Sequence, residues 1–314
     1  MTRRRHCVCQ PLFVVRETCI IRGVTPLPER LSPIIAGRRR VFCCHSATLS
    51  TNFAPNSLAA VRECVDAGVP RLEIDVQFLA DDGMLIFHDG SFELPGGSRP
   101  RIADSTRAQA ADVRHTDGSA LCYLEDVVLA LQGSPTVLQV DLKLSRPITA
   151  RRAELLEAAL QPISGHVLAG SQAHWNLRAL KSVPIALDPT LHWVYSKASP
   201  GIPRNLGIHG LWDDSPIASN GRFSARQYLE VRVDDLLALL PNAVEWMVDI
   251  ETLFKIEDLG MRLGDHLRER GVALAAWTLR ENRPERAETL RRLFSLGAET
   301  IITDIPEAAA AAVL

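Results

Sequence analysis

The chain has 314 residues, 46% hydrophobic and 23% charged, with a formal net charge of −2. This composition is ordinary for a folded globular protein, and the near-neutral balance argues against nucleic-acid binding driven by phosphate neutralisation. No run approaches the ~18 apolar residues that span a bilayer, so no transmembrane segment is expected.

The average conceals an asymmetry. Residues 1–40 carry nine Arg and two Glu, net +7, which leaves −9 for the remainder. Arg3-Arg4-Arg5 and Arg38-Arg39-Arg40 bracket this stretch, which holds no helical or strand period longer than a few residues. Residues 1–40 therefore read as a basic leader, disordered or mis-assigned, with residues 38–40 a solvated run. Its apolar stretch at residues 11–15 is broken by Arg16 and Glu17, too early for a secretory signal. Seven cysteines, odd in number and unevenly spread, do not form a disulfide framework. Cys43 and Cys44 read as small core residues, and the compartment as a reducing, cytoplasmic one.

From residue 41 the chain alternates short apolar strands with amphipathic helices. A strand over 41–45 precedes a helix over 57–67, whose Leu58, Val61, Cys64 and Val65 share one stripe. A hairpin follows, with strands over 71–79 and 84–88 around an Asp82-Gly83 turn. Strands are then expected over 136–144, 166–169, 184–187, 244–250, 272–278 and 300–303, with helices between most of them. The alternation lapses through the Pro/Gly/Asn-rich segment 188–224. Repeated strand–helix units argue for a parallel sheet with right-handed crossovers. A TIM barrel takes about 250 residues, which 41–314 supplies. The expected fold is an α/β, (β/α)8 TIM barrel with a hairpin and insertion after its second strand.

Catalytic groups in such a barrel sit at the C-terminal ends of strands. His45 ends the first strand, Glu73 and Asp75 share one face of the second, and His88 closes its hairpin extension. Asp141 and Lys143 sit late in the third strand, Trp277 ends the seventh, and Asp304 follows the eighth. Two carboxylates and an imidazole that converge within a hairpin whose other face is built for a core must be paired, hydrated or bound to a metal. Trp277 reads either as rim packing or as substrate lining. Asp304 reads as a cap for the last helix. The remaining histidines are assigned to structure, His192 being the first exception to consider because, with Trp193, it follows the fifth strand on the active face.

Taken together these residues resemble the glycerophosphodiester phosphodiesterase family. The resemblance rests on His45-Ser46-Ala47, Ala54-Pro55-Asn56-Ser57, Glu73-Ile74-Asp75-Val76, Asp82-Gly83 followed by His88-Asp89, Asp141-Leu142-Lys143, Trp277-Thr278 and Ile302-Thr303-Asp304-Ile305-Pro306. It implies metal-dependent cleavage of glycerophosphodiesters into an alcohol and sn-glycerol 3-phosphate, by way of a cyclic phosphate. Glu73, Asp75 and Asp141 would then be metal ligands, His45 and His88 the acid–base pair, and Lys143 a phosphate contact. Lys143 could equally serve as a counter-ion to Glu73 or Asp75. Three carboxylates suit Mg2+ or Ca2+ as the divalent cation. The family's Arg after the first His is Ser46 here, its turn Glu is Pro55, and its third carboxylate is the shorter Asp141. Arg280, just past Trp277, is expected to replace part of the missing guanidinium. The expected partner is a small-molecule or lysolipid phosphodiester. The lysolipid alternative is a lipase of the lysophospholipase D or sphingomyelinase D type, and a barrel that binds phosphodiesters but turns them over poorly is the other.

Overall fold

The computed structural model describes residues 25–144, 146–189, 191, 224–281 and 285–314. The first 24 residues of the leader, His192, Trp193 and most of the 188–224 segment lie outside the described residues.

The strands in chain order begin with a two-residue pair, β1 (Ile34–Ile35) and β2 (Arg38–Arg39). Eight parallel strands then close into a cylinder: β3 (Val41–Cys44), β4 (Arg71–Phe78), β6 (Val137–Leu142), β7 (Val167–Ser171), β8 (Ile185–Leu187), β9 (Ala243–Asp249), β10 (Ala273–Leu279) and β11 (Thr300–Thr303). β11 pairs with β3, Thr300 opposite Val41, and β3 meets β4 only where Cys44 faces Leu72. That last contact completes the (β/α)8 ring. β5 (Met84–Ile86) returns antiparallel along β4, with Val76 opposite Ile86, and Asp82 takes the left-handed turn conformation at φ 64°.

Local chemistry fixes where the helices begin. Ser57 caps the helix Leu58–Asp66 by accepting from the Ala60 N–H, and Thr149 caps Ala150–Leu160 in the same way. Ala60, Val61 and Cys64 form the buried stripe of the first of these. After β5 the chain leaves the barrel to build an insertion around Phe92, Ile102, Ala110 and Val113, which pack on Leu79 and Leu85.

The structured chain starts before residue 41, contrary to the expected leader boundary. Helix Leu27–Arg30 lies at the barrel's edge, where Arg30 pairs with Glu307 at 3.1 Å. Leu31 is fully buried. Arg38 and Arg39 are exposed as expected, but Arg40 is buried and donates to the Ala298 carbonyl at 2.6 Å over the Phe294 ring. A run of identical residues gave no hint that only one of the three faces inward.

Strand alternation sorts side chains into two cores. Residues such as Leu72, Ile74, Val140, Trp246 and Ile301 face the helices. A smaller cluster of Cys43, Leu168, Ala186, Met247, Ala275 and Ile302 fills the cylinder. One end of this plug carries a buried ion pair: the Arg71 guanidinium donates to both Glu245 oxygens at 2.9 and 2.6 Å and to Gln139 Oε1 at 3.0 and 2.6 Å. Two residues on along the same face of β4 comes Glu73, which begins the site.

Removing one partner of that pair leaves a buried charge alone. Glu245→Leu is expected to lose about 3–5 kcal/mol of stability in urea denaturation. Pairing it with Arg71→Met should recover most of that loss, and failure of the double variant to recover any would show the two side chains to be independent.

Candidate active site

At the end of β3 the chain turns sharply back over β4. His45 opens this turn, and Ser46 and Ala47 both take left-handed conformations, at φ 48° and 56°. A left-handed non-glycine residue costs free energy, and here it aims polar groups at the acids of β4. The Ser46 N–H donates to Glu73 Oε2 at 2.7 Å, and its hydroxyl donates to Asp75 Oδ2 at 3.3 Å. Asn56, also left-handed at φ 61°, holds Asp75 from the other side. Its Nδ2 donates to Asp75 Oδ2 at 2.7 Å while its Oδ1 accepts from the Asp75 N–H at 3.1 Å. The Asn56 N–H in turn donates to the Ser46 carbonyl at 2.8 Å. Asp117 of the insertion steadies this loop by accepting from the Ala54 N–H at 2.9 Å. The sequence motif contained Asn56 and Ser46 but gave neither this task.

The three acids converge as expected. Glu73 and Asp75 are buried and Asp141 is half-buried, and one oxygen from each lies within 4.8 Å of the others. Register explains the meeting: Asp75 and Asp141 face each other across β4 and β6. Lys143 lies between them, its Nζ 2.6 Å from Asp141 Oδ2 and 3.0 Å from Asp75 Oδ1. Burial and the Asp75 charge push the Glu73 carboxyl up to about 8. Burial acts the same way on Asp75, but the Lys143 ammonium and the Asn56 hydrogen bond outweigh it and hold that carboxyl below its ordinary value. Asp75 Oδ1 is buried and accepts no well-aligned hydrogen bond, although Lys143 approaches it. An all-oxygen donor set with one carboxyl driven toward its neutral form fits a hard divalent cation.

His45 joins the cluster, with Nε2 3.9 Å from Glu73 Oε2. Its other nitrogen, Nδ1, lies 2.6 Å from Asp304 Oδ1. Asp304 is therefore an orienting partner of His45. The cap position of the last helix, Pro306–Ala311, is Ile305, with no side-chain cap. The reading of Asp304 as a helix cap fails because the cap position falls one residue later and the Asp304 carboxylate meets His45 instead. Burial pulls the His45 imidazole down, but the Asp304 hydrogen bond and the charges of Glu73, Asp304 and Asp75 hold it above its ordinary value.

The other expected residues sit further out. His88 is 61% exposed at the start of the insertion, its Nδ1 2.9 Å from Asp89, and its charge still reaches Asp75. Trp277 is half-buried and packs on the plug that fills the cylinder. Arg280 is exposed just past β10. Pro55 is exposed as well, so the family's turn carboxylate has no counterpart there. Two acids went unassigned in the sequence. Asp188 follows β8 and takes a hydrogen bond from Gln172 at 2.9 Å. Burial pushes its carboxyl up to about 8 against that bond, with the Asp141 and Asp249 charges adding to the rise. Asp249 ends β9 and accepts from the Thr252 N–H at 2.9 Å. Each lies two residues beyond a plug residue of its own strand, Ala186 and Met247, and that parity was the available signal.

Known proteins share this barrel. A glycerophosphodiester phosphodiesterase from Parabacteroides distasonis superposes with a TM-score of 0.59 at 17% identity, over 85% of this chain and 94% of that one. The enzyme from Thermotoga maritima gives 0.57 at 18% identity, over 85% and 95%. A phosphodiesterase from Oleispira antarctica, solved with the product sn-glycerol-3-phosphate, gives 0.56 at 15% identity, over 87% and 96%. At such identities the likeness establishes the barrel. No curated protein sequence matches the chain. The model of the glycerophosphoryl diester phosphodiesterase family matches residues 48–308, which include the acids, Lys143, His88 and Asp304, and the chain belongs to that family of phosphoric diester hydrolases.

Proposed function

We propose that this protein hydrolyses glycerophosphodiesters to an alcohol and sn-glycerol 3-phosphate, with a divalent cation held by Glu73, Asp75 and Asp141. The observation that carries the reading is the meeting of these three carboxylates in one cluster with His45 Nε2 beside Glu73. An oxygen-only ligand set favours Mg2+ or Ca2+. Bound there, such a cation would neutralise the phosphoryl oxygens and ease attack on phosphorus.

The chain's own residues supply the proton transfers. With Nδ1–H donating to Asp304, a neutral His45 keeps its Nε2 lone pair directed toward the cluster as a base; protonated, the same nitrogen is an acid. His88, reached by solvent at the rim, is the second member of the pair and suits protonation of the leaving alcohol. Lys143 supplies a point charge for a phosphate oxygen. Ser46 cannot act as the family's guanidinium, and Arg280, exposed just past β10, is the proposed source of that charge. Trp277 would line the glycerol side. The described cysteines, Cys43, Cys44, Cys64 and Cys122, are unpaired and buried, which supports a cytoplasmic protein. No helix among the described residues is long and apolar enough to cross a membrane.

Purified protein given glycerophosphocholine with Mg2+ or Ca2+ is expected to release choline and sn-glycerol 3-phosphate, and chelator should stop it. Turnover of lysophosphatidylcholine alone would reassign the protein to lipid substrates. His45→Ala and His88→Ala should each lower kcat roughly 10²–10⁴-fold with thermal stability nearly intact. Asp304→Asn should also lower kcat and shift the His45 limb of the pH–rate profile downward, because the charge that raises that imidazole is gone.

Stability should carry the signature of Glu73. A carboxyl raised from 4.5 to about 8 in the folded state binds more protons than the unfolded chain over that interval, so stability falls as pH rises through it. Thermal melts in chelator are expected to show this decline, and Glu73→Gln should flatten it. Added cation should stabilise the protein more at the alkaline end than at the acid end, and an identical gain at both ends would contradict the ligand assignment.

A further inference from the structure

Lys143 does more than border the cluster: its Nζ stands 2.6 Å from Asp141 Oδ2 and 3.0 Å from Asp75 Oδ1. Those carboxylates come from different strands, and both belong to the proposed ligand set. Building on the cation site proposed above, we infer that the Lys143 ammonium is a resident competitor for the cation, released to the phosphate when the acids take a metal ion.

Three features carry the inference. First, a hard cation and an ammonium want the same thing from a carboxylate, its outward oxygen lone pairs, and Mg2+ or Ca2+ would sit within about 2.0–2.6 Å of them. A dication ligated by those oxygens would repel the ammonium that bridges Asp75 and Asp141 and weaken both of its contacts. Second, Lys143 can move. Its backbone is pinned by the N–H donating to the Val76 carbonyl at 3.1 Å, but its side chain is 31% exposed at the mouth. A compact charge on a flexible stem suits such an exchange better than the planar fork of arginine. Third, the charges balance in the right order. Asp75 and Asp141 with Lys143 sum to −1, and to −2 once Glu73 gives up its proton, a cluster that repels an anionic diester. A dication brings the sum to zero and leaves one ammonium without its former partners. Cation and phosphate binding then assist each other, and the coupling is reciprocal.

Calorimetric titration of Ca2+ and Mg2+ into wild type, Lys143→Met, Lys143→Gln and Lys143→Arg tests this without turnover. The two neutral variants are expected to bind cation roughly five- to tenfold more tightly than wild type, and Lys143→Arg about as weakly as wild type. Inorganic phosphate titrated into the cation-loaded neutral variants should bind roughly tenfold more weakly than to loaded wild type. Cation affinity that is unchanged or weaker in both folded neutral variants would overturn the competition, and unchanged phosphate affinity would overturn the release. No cation binding by any of the four proteins would instead overturn the cation site itself.

Wild type offers a second measurement that needs no variant to fold. The chain has only four lysines, so side-chain NMR of 13C-labelled lysine resolves each one. Calcium alone should shift the Lys143 resonance, and phosphate should shift it again. A Lys143 signal that ignores calcium would count against the inference.

Discussion

Burying several carboxylates in one barrel mouth is possible only if each negative charge is answered, and most of the upper half of the structure is arranged to answer them. Glu73 is met by a backbone N–H, Asp75 by a hydroxyl, an amide and an ammonium, and Asp141 by the same ammonium. Asp304 is answered by His45. The left-handed turn at Ser46 and Ala47 exists to deliver the first two of these contacts. Its conformational cost is local, whereas an unanswered buried carboxylate would cost far more.

The same hydrogen bonds mend the thinnest seam of the barrel. β3 and β4 share one backbone pairing, Cys44 with Leu72, while β4 and β6 are paired along six residues. Above that single pairing, Ser46 and Asn56 reach across from the β3 side and bind the side chains of Glu73 and Asp75 and the Asp75 N–H. The amide of Asn56, donating with Nδ2 and accepting with Oδ1, does what a neighbouring strand's peptide group would do. The holding of the acids and the closure of the barrel thus draw on one set of contacts. Ser46 contributes to both, through its backbone N–H to Glu73 and its hydroxyl to Asp75.

Much of this was legible in the chain, because period-two alternation and the ends of strands carry chemical meaning. The eight barrel strands, the Asp82-Gly83 hairpin and the cluster of Glu73, Asp75, Asp141 and His45 all follow from which residues share a face. What stayed hidden depends on contacts between segments far apart in sequence. Asp304 looked like a helix cap because the rule for caps is local, and its true partner is 259 residues away. Arg40 looked solvated because its neighbours are arginines, yet the Ala298 carbonyl and the Phe294 ring lie under it. Asp188 and Asp249 were passed over because single acids at strand ends are common. Their inward direction shows only once Ala186 and Met247 are known to fill the cylinder.

The bond between His45 and Asp304 has a bearing on how the protein comes to life. Its two residues stand at opposite ends of the folded domain's sequence, on the strands that meet last when synthesis runs from the amino terminus. The orientation of the His45 imidazole is therefore a product of ring closure, and a chain without its final strand has Glu73, Asp75 and Asp141 but no carboxylate on His45 Nδ1. On the mechanism proposed above, a barrel still open at that seam would be chemically silent.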